Sequence, residues 1–189
     1  MDGSLLIVGN AGTVLTFKER MARVESNLFE NLRTVAWNVL GNVALMGGNA
    51  GCLVKYSSSS LTSLRDGSSN LRRVTWHPKK NRALIASNCF AQDFLPSPNL
   101  FHYDDETGVF TAVNEGRVDL TGADWKPDDD SALLTGYDVL WHNGFIGQFD
   151  GHKLTSLFKN KQVYPVSVAW NHHGILVALG SPASRPFNC

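Results

Sequence analysis

Asp119 and Asp124 are the two carboxylates considered for cooperative chemistry, with Asp124 directly ahead of Trp125 in the stretch DLTGADW and Asp119 preceding that strand. Hydrolysis of a glycosidic bond needs two such acids at a defined separation, one to protonate and one to attack or activate water. Nothing else in the chain extends this theme. The six histidines, His77, His102, His142, His152, His172 and His173, show no repeated ligand spacing, so no metal site is assigned. Cys52, Cys89 and Cys189 are odd in number and lack a CxxC pair, which argues against a disulfide framework or a zinc site. Asp128, Asp129 and Asp130 form a polar turn. There is no nucleophile elbow, no phosphate-cradling glycine loop and no nucleophile with a base at a recognisable interval. The sequence therefore assigns no catalytic residue and no cofactor.

Residue types suited to recognition are better represented. CFAQDFLPSPN, at Cys89 to Asn99, carries Phe90, Asp93 and Phe94; YDVLWHNGF, at Tyr137 to Phe145, carries Tyr137, Trp141, His142 and Phe145. Aromatic side chains of this kind dominate the energetics of protein interfaces. Arg33, Arg72 and Arg117 recur at comparable places and could accept carboxylates or phosphates. The plainer alternative is that the rings pack long loops down and the arginines are simply solvated.

These groups are positioned by a repeat. GNAGTVLTF begins at Gly9 and GNAGCLVKY at Gly48, 39 residues later. The same offset aligns Leu32-Arg33 with Leu71-Arg72, Trp37 with Trp76, and Ala44-Leu45 with Ala83-Leu84. With insertions the frame returns around Trp125 and Trp170. Each unit reads as four short strands: LRTVAW, then VALMGG after a polar turn, then CLVKYS after the GNAG turn, then LTSLRD. Glycine and asparagine in GNAG are expected to supply the positive backbone angles of a tight hairpin. Both aromatic insertions fall at this second-to-third-strand hairpin, so they share one edge of the units. The identical register of Trp37, Trp76, Trp125 and Trp170 makes them packing residues rather than a ligand cage.

A four-stranded unit cannot cover both its faces alone, so units of this length must pack against one another, as the blades of a propeller do. LRRVTWHPKKNRALIASN and LRTVAWNVLGNVALMGGNAGCLVKY resemble WD40-type or YVTN-type propeller repeats. No copy has the Trp-Asp that ends the third strand in that family; Phe17, Tyr56, Tyr103 and Phe149 stand there instead. Asn10, Asn49 and Asn88 occupy the turn where the family commonly has Asp, and are expected to cap it. The reading is an all-β propeller of four-stranded antiparallel blades, about four to five in number or part of a larger ring. Its units are approximately 1–31, 32–70, 71–119, 120–163 and a partial 164–180, and 181–189 is a tail lying outside the sheet.

The resemblance implies a non-catalytic scaffold for protein–protein interaction through the edge bearing the insertions. The alternative is a propeller hydrolase or carbohydrate-binding protein using the acids Asp119 and Asp124. Seventeen basic and seventeen acidic residues cancel, which argues against nucleic acid as the partner, and the longest apolar run is too short to span a membrane. Protein partners are expected, and self-association or a second chain completing the ring is a further option. The N-terminal stretch MDGSLLIVGN shows no secretory pattern, so the expected location is cytoplasmic.

Overall fold

The computed structural model describes residues 5–17, 21–23, 28–65, 68–88, 96–161, 163–171 and 176–182. Five antiparallel sheets follow one another along the chain. The first contains β1 (Leu5–Val8), β2 (Val14–Phe17) and β3 (Met21–Arg23). Three four-stranded sheets succeed it: β4 (Leu32–Trp37), β5 (Val43–Gly48), β6 (Leu53–Ser57) and β7 (Ser60–Arg65); β8 (Leu71–Trp76), β9 (Arg82–Ser87), β10 (Ser97–Asp104) and β11 (Val109–Gly116); then β12 (Val118–Trp125), β13 (Ala132–Asp138), β14 (Asn143–Phe149) and β15 (Leu154–Asn160). β16 (Val163–Trp170) and β17 (Leu176–Pro182) form the last. In every sheet, strands adjacent in sequence are adjacent in space. The repeat read from the sequence is thus a repeat of up-and-down sheets.

Burial explains the strand sequences. VALMGG in β5 is buried at every position and RALIAS in β9 at all but the first, so these second strands are covered on both faces. A strand enclosed in this way is apolar throughout and does not alternate. The fourth strands β7, β11 and β15 have no buried position and carry Ser, Thr, Asn and Lys. The sheets therefore stack face to face about their inner and second strands. Leu6 and Val14 of the first sheet share a core with Ala44, Met46 and Val54 of the second. Leu45 and Leu53 do the same with Val74, Ile85 and Phe101 of the third. Leu84 and Leu100 meet Ala123, Leu134 and Phe149 of the fourth. Each large side chain buried in these seams stabilises the stack by roughly 1.5–3 kcal/mol.

The tryptophans serve both packing and bonding. Within a sheet, Trp37, Trp76 and Trp125 meet Tyr56, Tyr103 and Phe149 edge-on, at ring separations of 5.8, 6.3 and 6.3 Å. Between sheets, the indole N–H groups of Trp76, Trp125 and Trp170 each donate to the carbonyl just before the preceding sheet's tryptophan. The bonds run from Trp76 to Ala36 (2.9 Å), Trp125 to Thr75 (3.2 Å) and Trp170 to Asp124 (3.2 Å).

Two details of the strand ends differ from expectation. In GNAG it is alanine and glycine, not asparagine, that take the left-handed conformation, with φ of 49° and 64° at Ala11 and Gly12, and 50° and 70° at Ala50 and Gly51. Positive φ at both central residues is what a type I′ turn between twisted strands requires. β17 also runs through Ser181 and Pro182, two residues into the expected tail, with Pro182 opposite Val163 at the very end of the ladder. Proline is tolerated there because β17 has a partner on one side only within its sheet.

Candidate interaction surface

One edge of the sheet stack gathers the second-to-third-strand hairpins and the loops that lead into the inner strands. The two are laced together by asparagine. Asn31 accepts the N–H of Ala11 through its side-chain oxygen (2.9 Å) and that of Asn49 through its carbonyl (2.9 Å), joining the hairpins of the first and second sheets. Asn70 repeats both bonds one sheet later, to Ala50 (3.0 Å) and Asn88 (3.1 Å). The expected caps act differently: the side-chain oxygen of Asn88 accepts the N–H of Asn70 in the lead-in loop, and that of Asn49 accepts from Arg33 Nε at the start of β4, so neither side chain closes its own turn.

In the fourth sheet this edge changes character. Asp119 and Tyr164 occupy the position of Asn31 and Asn70, six residues before the inner-strand tryptophan. Asp138, at the end of β13 and almost fully buried, organises the next turn: its Oδ1 accepts the N–H groups of Leu140 (3.2 Å) and Trp141 (3.1 Å), and its Oδ2 accepts Lys159 Nζ (3.2 Å). His142 completes the turn with φ of 52°, in the left-handed region that is uncommon for residues other than glycine. Its Nδ1 is hydrogen-bonded to the Tyr137 hydroxyl, and its carbonyl accepts the Tyr164 hydroxyl at 3.4 Å. The Tyr137 and Tyr164 rings lie 5.1 Å apart. Burial first, then the neighbouring Tyr164, Asp138 and Asp119, push the Tyr137 phenol above its usual range, so it holds its proton. Held by this framework, Trp141 stands at the hairpin tip with 64 % of its surface exposed.

The remaining candidates scatter. Phe145 is a correction: only 4 % exposed, it points with Phe149 into the core shared with the third sheet, because the alternation of β14 places it on the inner face. It presents nothing to a partner. Arg33 and Arg72 are exposed near the same edge; Arg117 is partly buried and its carbonyl accepts the N–H of Val139 at 3.1 Å. Phe90, Asp93 and Phe94 lie outside the described residues.

The carboxylate pair is not two free acids. Asp124 is half-buried, and one carboxylate oxygen accepts the backbone N–H of Trp170 at 2.8 Å, across the boundary to the fifth sheet. Desolvation pushes its pKa up, opposed by that hydrogen bond and by Arg73. Asp124 thereby joins sheets. Among the described residues, no group of three or more His, Cys, Asp or Glu side chains is placed to hold a metal ion.

No known family profile matches the chain, and neither does any curated protein sequence. Solved structures do. The C-terminal WD40 domain of Sif2 superimposes with a TM-score of 0.65 over 95 % of this chain, at 14 % identity. The fold is a β-propeller. A chain of the nidogen/laminin complex matches this propeller with a TM-score of 0.70, at 11 % identity, over 95 % of this chain and 71 % of its own. A GH74 enzyme from Niastella koreensis gives 0.70 at 10 % identity over 88 % of the chain. The propeller described here spans 52 % of the Sif2 domain and 31 % of the GH74 chain. The stacked sheets are therefore its blades, and the laced edge is one rim of the propeller. Tyr164, Asp138, Asn31 and Asn70 were missed in the sequence as parts of this rim, although Asn31 and Asn70 are themselves 39 residues apart.

Proposed function

We propose that this propeller is a non-catalytic platform that binds another protein through the rim of its fourth and fifth blades, with Trp141 as the anchor. The observation that carries the reading is the mounting of Trp141. It is a large aromatic side chain exposed at a hairpin tip whose backbone is fixed by Asp138, His142, Tyr137 and Tyr164. A fixed aromatic group loses little conformational freedom on binding, which is why such residues become interface hot spots. Arg33 and Arg72, exposed near the same rim, add cationic contacts at its periphery, and the segment carrying Phe90, Asp93 and Phe94 belongs by sequence to the neighbouring hairpin. The likeness to a chain of the nidogen/laminin complex and to a WD40 domain supports this use of the fold. The GH74 likeness is one of fold, and chemistry does not travel with fold.

The test is affinity capture from native extract with the wild-type chain, Trp141→Ala and a control substitution, Lys153→Ala, in the turn between β14 and β15. A partner retained by wild type and Lys153→Ala but lost with Trp141→Ala supports the reading. Equal capture by all three refutes it.

A further inference from the structure

On the rim opposite Trp141, the turns between first and second strands differ from blade to blade. Counted from the inner-strand tryptophan, Leu40 of the second blade corresponds to Lys79 of the third and Asp128 of the fourth, and Val39 to Pro78 and Pro127. Val39 and Leu40 are 43 % and 61 % exposed. Their turn is firmly held. The Asn38 side chain, almost fully buried, accepts the N–H groups of Asn42 (3.1 Å) and Val43 (3.3 Å) and donates to the side-chain oxygens of Asn42 (2.8 Å) and of Asn81 in the next blade (3.4 Å). Gly41 closes it in the left-handed conformation, with φ of 68°. The second blade thus presents two apolar side chains on a fixed backbone, where its neighbours present polar ones.

Val39 and Leu40 line a cleft of about 420 Å³ between the four-stranded second and third blades. Lys79, Lys80 and Arg82 also line it, together with Asp104 and Glu106 from the β10–β11 turn. The cations are already matched by the fourth blade. Lys80 lies 2.7 Å from Asp130, Arg82 pairs with the same carboxylate, and Lys79 lies 3.4 Å from Asp128. In the acidic turn only the middle carboxylate is matched: Asp105 lies 2.5 Å from Lys55 Nζ and accepts the Tyr103 hydroxyl at 3.0 Å. Asp104 accepts the N–H groups of Thr107 (2.9 Å) and Glu106 (3.1 Å), and these bonds, Thr107 foremost, hold its pKa below the ordinary value. It stays charged. Among the described residues no cation forms an ion pair with Asp104 or Glu106. The unmatched charge of the cleft is therefore negative, and it stands beside an exposed apolar pair.

We propose that this cleft is a second docking site, which takes a lysine or arginine side chain of a partner polypeptide, its aliphatic stem on Val39 and Leu40 and its charged head at Asp104 and Glu106. Charge complementarity selects the class. An acidic segment would meet two unmatched carboxylates, and a purely apolar one would cover them without a partner, which costs free energy. An inorganic cation would leave Val39 and Leu40 unused. Lysine and arginine join a long apolar stem to a cationic head, the complement of what the cleft offers. The site is independent of the Trp141 rim and of the reading given for it.

Selection of short random peptides displayed on phage tests this directly: peptides retained by the wild-type chain are rebound to Glu106→Lys, Leu40→Ser and Trp141→Ala. Both cleft substitutions fall at exposed sites, so thermal unfolding is expected to stay close to wild type. The expected class of peptides carries lysine or arginine next to an apolar residue, survives Trp141→Ala, and binds roughly tenfold or more weakly to each cleft variant. A class that depends on Glu106 and Leu40 but consists of acidic or uncharged peptides overturns the proposal, as does the absence of any class that depends on both. Peptides lost with Trp141→Ala alone, and none lost with the cleft variants, would leave the first rim's reading standing while this one falls.

Discussion

Trp125 donates its indole N–H to the carbonyl oxygen of Thr75, a residue of the preceding blade, at 3.2 Å. Because Trp76 and Trp170 make the corresponding bond, the tryptophan spacing in the sequence is the spacing of the stitches between blades. Replacing Trp125 by Phe keeps most of the ring and removes the donor. The expected loss is about 0.5–1.5 kcal/mol of unfolding free energy in urea, against about 3–5 kcal/mol for Trp125→Ala, which also opens a cavity. Equal costs for the two would show that the bond, not the ring, dominates.

Asn70 holds two blades through its side-chain oxygen and its carbonyl. Asn70→Ala removes only the bond to the Ala50 N–H. A loss of about 1 kcal/mol is expected, with faster hydrogen exchange confined to the amide of Ala50 and its immediate neighbours.

Gly144 follows the Trp141 hairpin, and a Cβ there would lie 1.6 Å from the carbonyl oxygen of Val163. No side-chain rotation relieves a clash with backbone. Gly144→Ala is expected to cost more than about 2 kcal/mol and to separate the fourth and fifth blades at this rim, disturbing the Tyr137–Tyr164 contact. Chemical denaturation together with near-ultraviolet circular dichroism of the tyrosines reads both effects.

Acid should weaken the opposite rim. His77 is almost fully buried, its Nδ1 accepting the N–H of Lys79 at 3.0 Å and its Nε2 lying 2.9 Å from Asp130. Burial, and then the Arg82 charge, hold its pKa below the ordinary 6.5, with Asp130 pulling the other way. The unfolded chain thus takes up this proton more readily than the folded one. The stabilisation is complete above 6.5 and is lost as pH falls through the folded value. Asp129, drawn down to about 2 by Lys126 and Ser131, and Asp130, drawn lower still by Lys80 and Arg82, add stability above the ordinary carboxylate pKa that is lost as pH falls below it. Unfolding free energy measured against pH is expected to fall first below 6.5 and again below about 4; His77→Gln should shrink the first step and leave the second, the rest of the first belonging to His102, whose pKa is lowered first by burial and then by Arg82.

Much of the architecture was legible because it rests on local pattern. Turn residues and apolar runs delimit β4 to β7 and β8 to β9, and the tryptophan register identifies the inner strands. What escaped was set by contacts between blades. Phe145 follows Gly144 in a strand whose inner and outer faces depend on where the third blade lies, so its burial was not legible from an aromatic-rich loop. Asp124 looked like a candidate acid because its sequence neighbours do not reveal Trp170, 46 residues away, as its partner. Tyr164, in β16, is the same kind of case: its hydroxyl finds His142, 22 residues away, only once the fifth blade docks.

Hydrogen exchange on the chain with its captured partner bound tests the central claim most directly. Slowed exchange at the amides of 138–143, with little change in the turns at 38–42 and 126–131 on the other rim, is the predicted result. Protection concentrated in those turns, with the Trp141 hairpin exchanging as in the free chain, would contradict it.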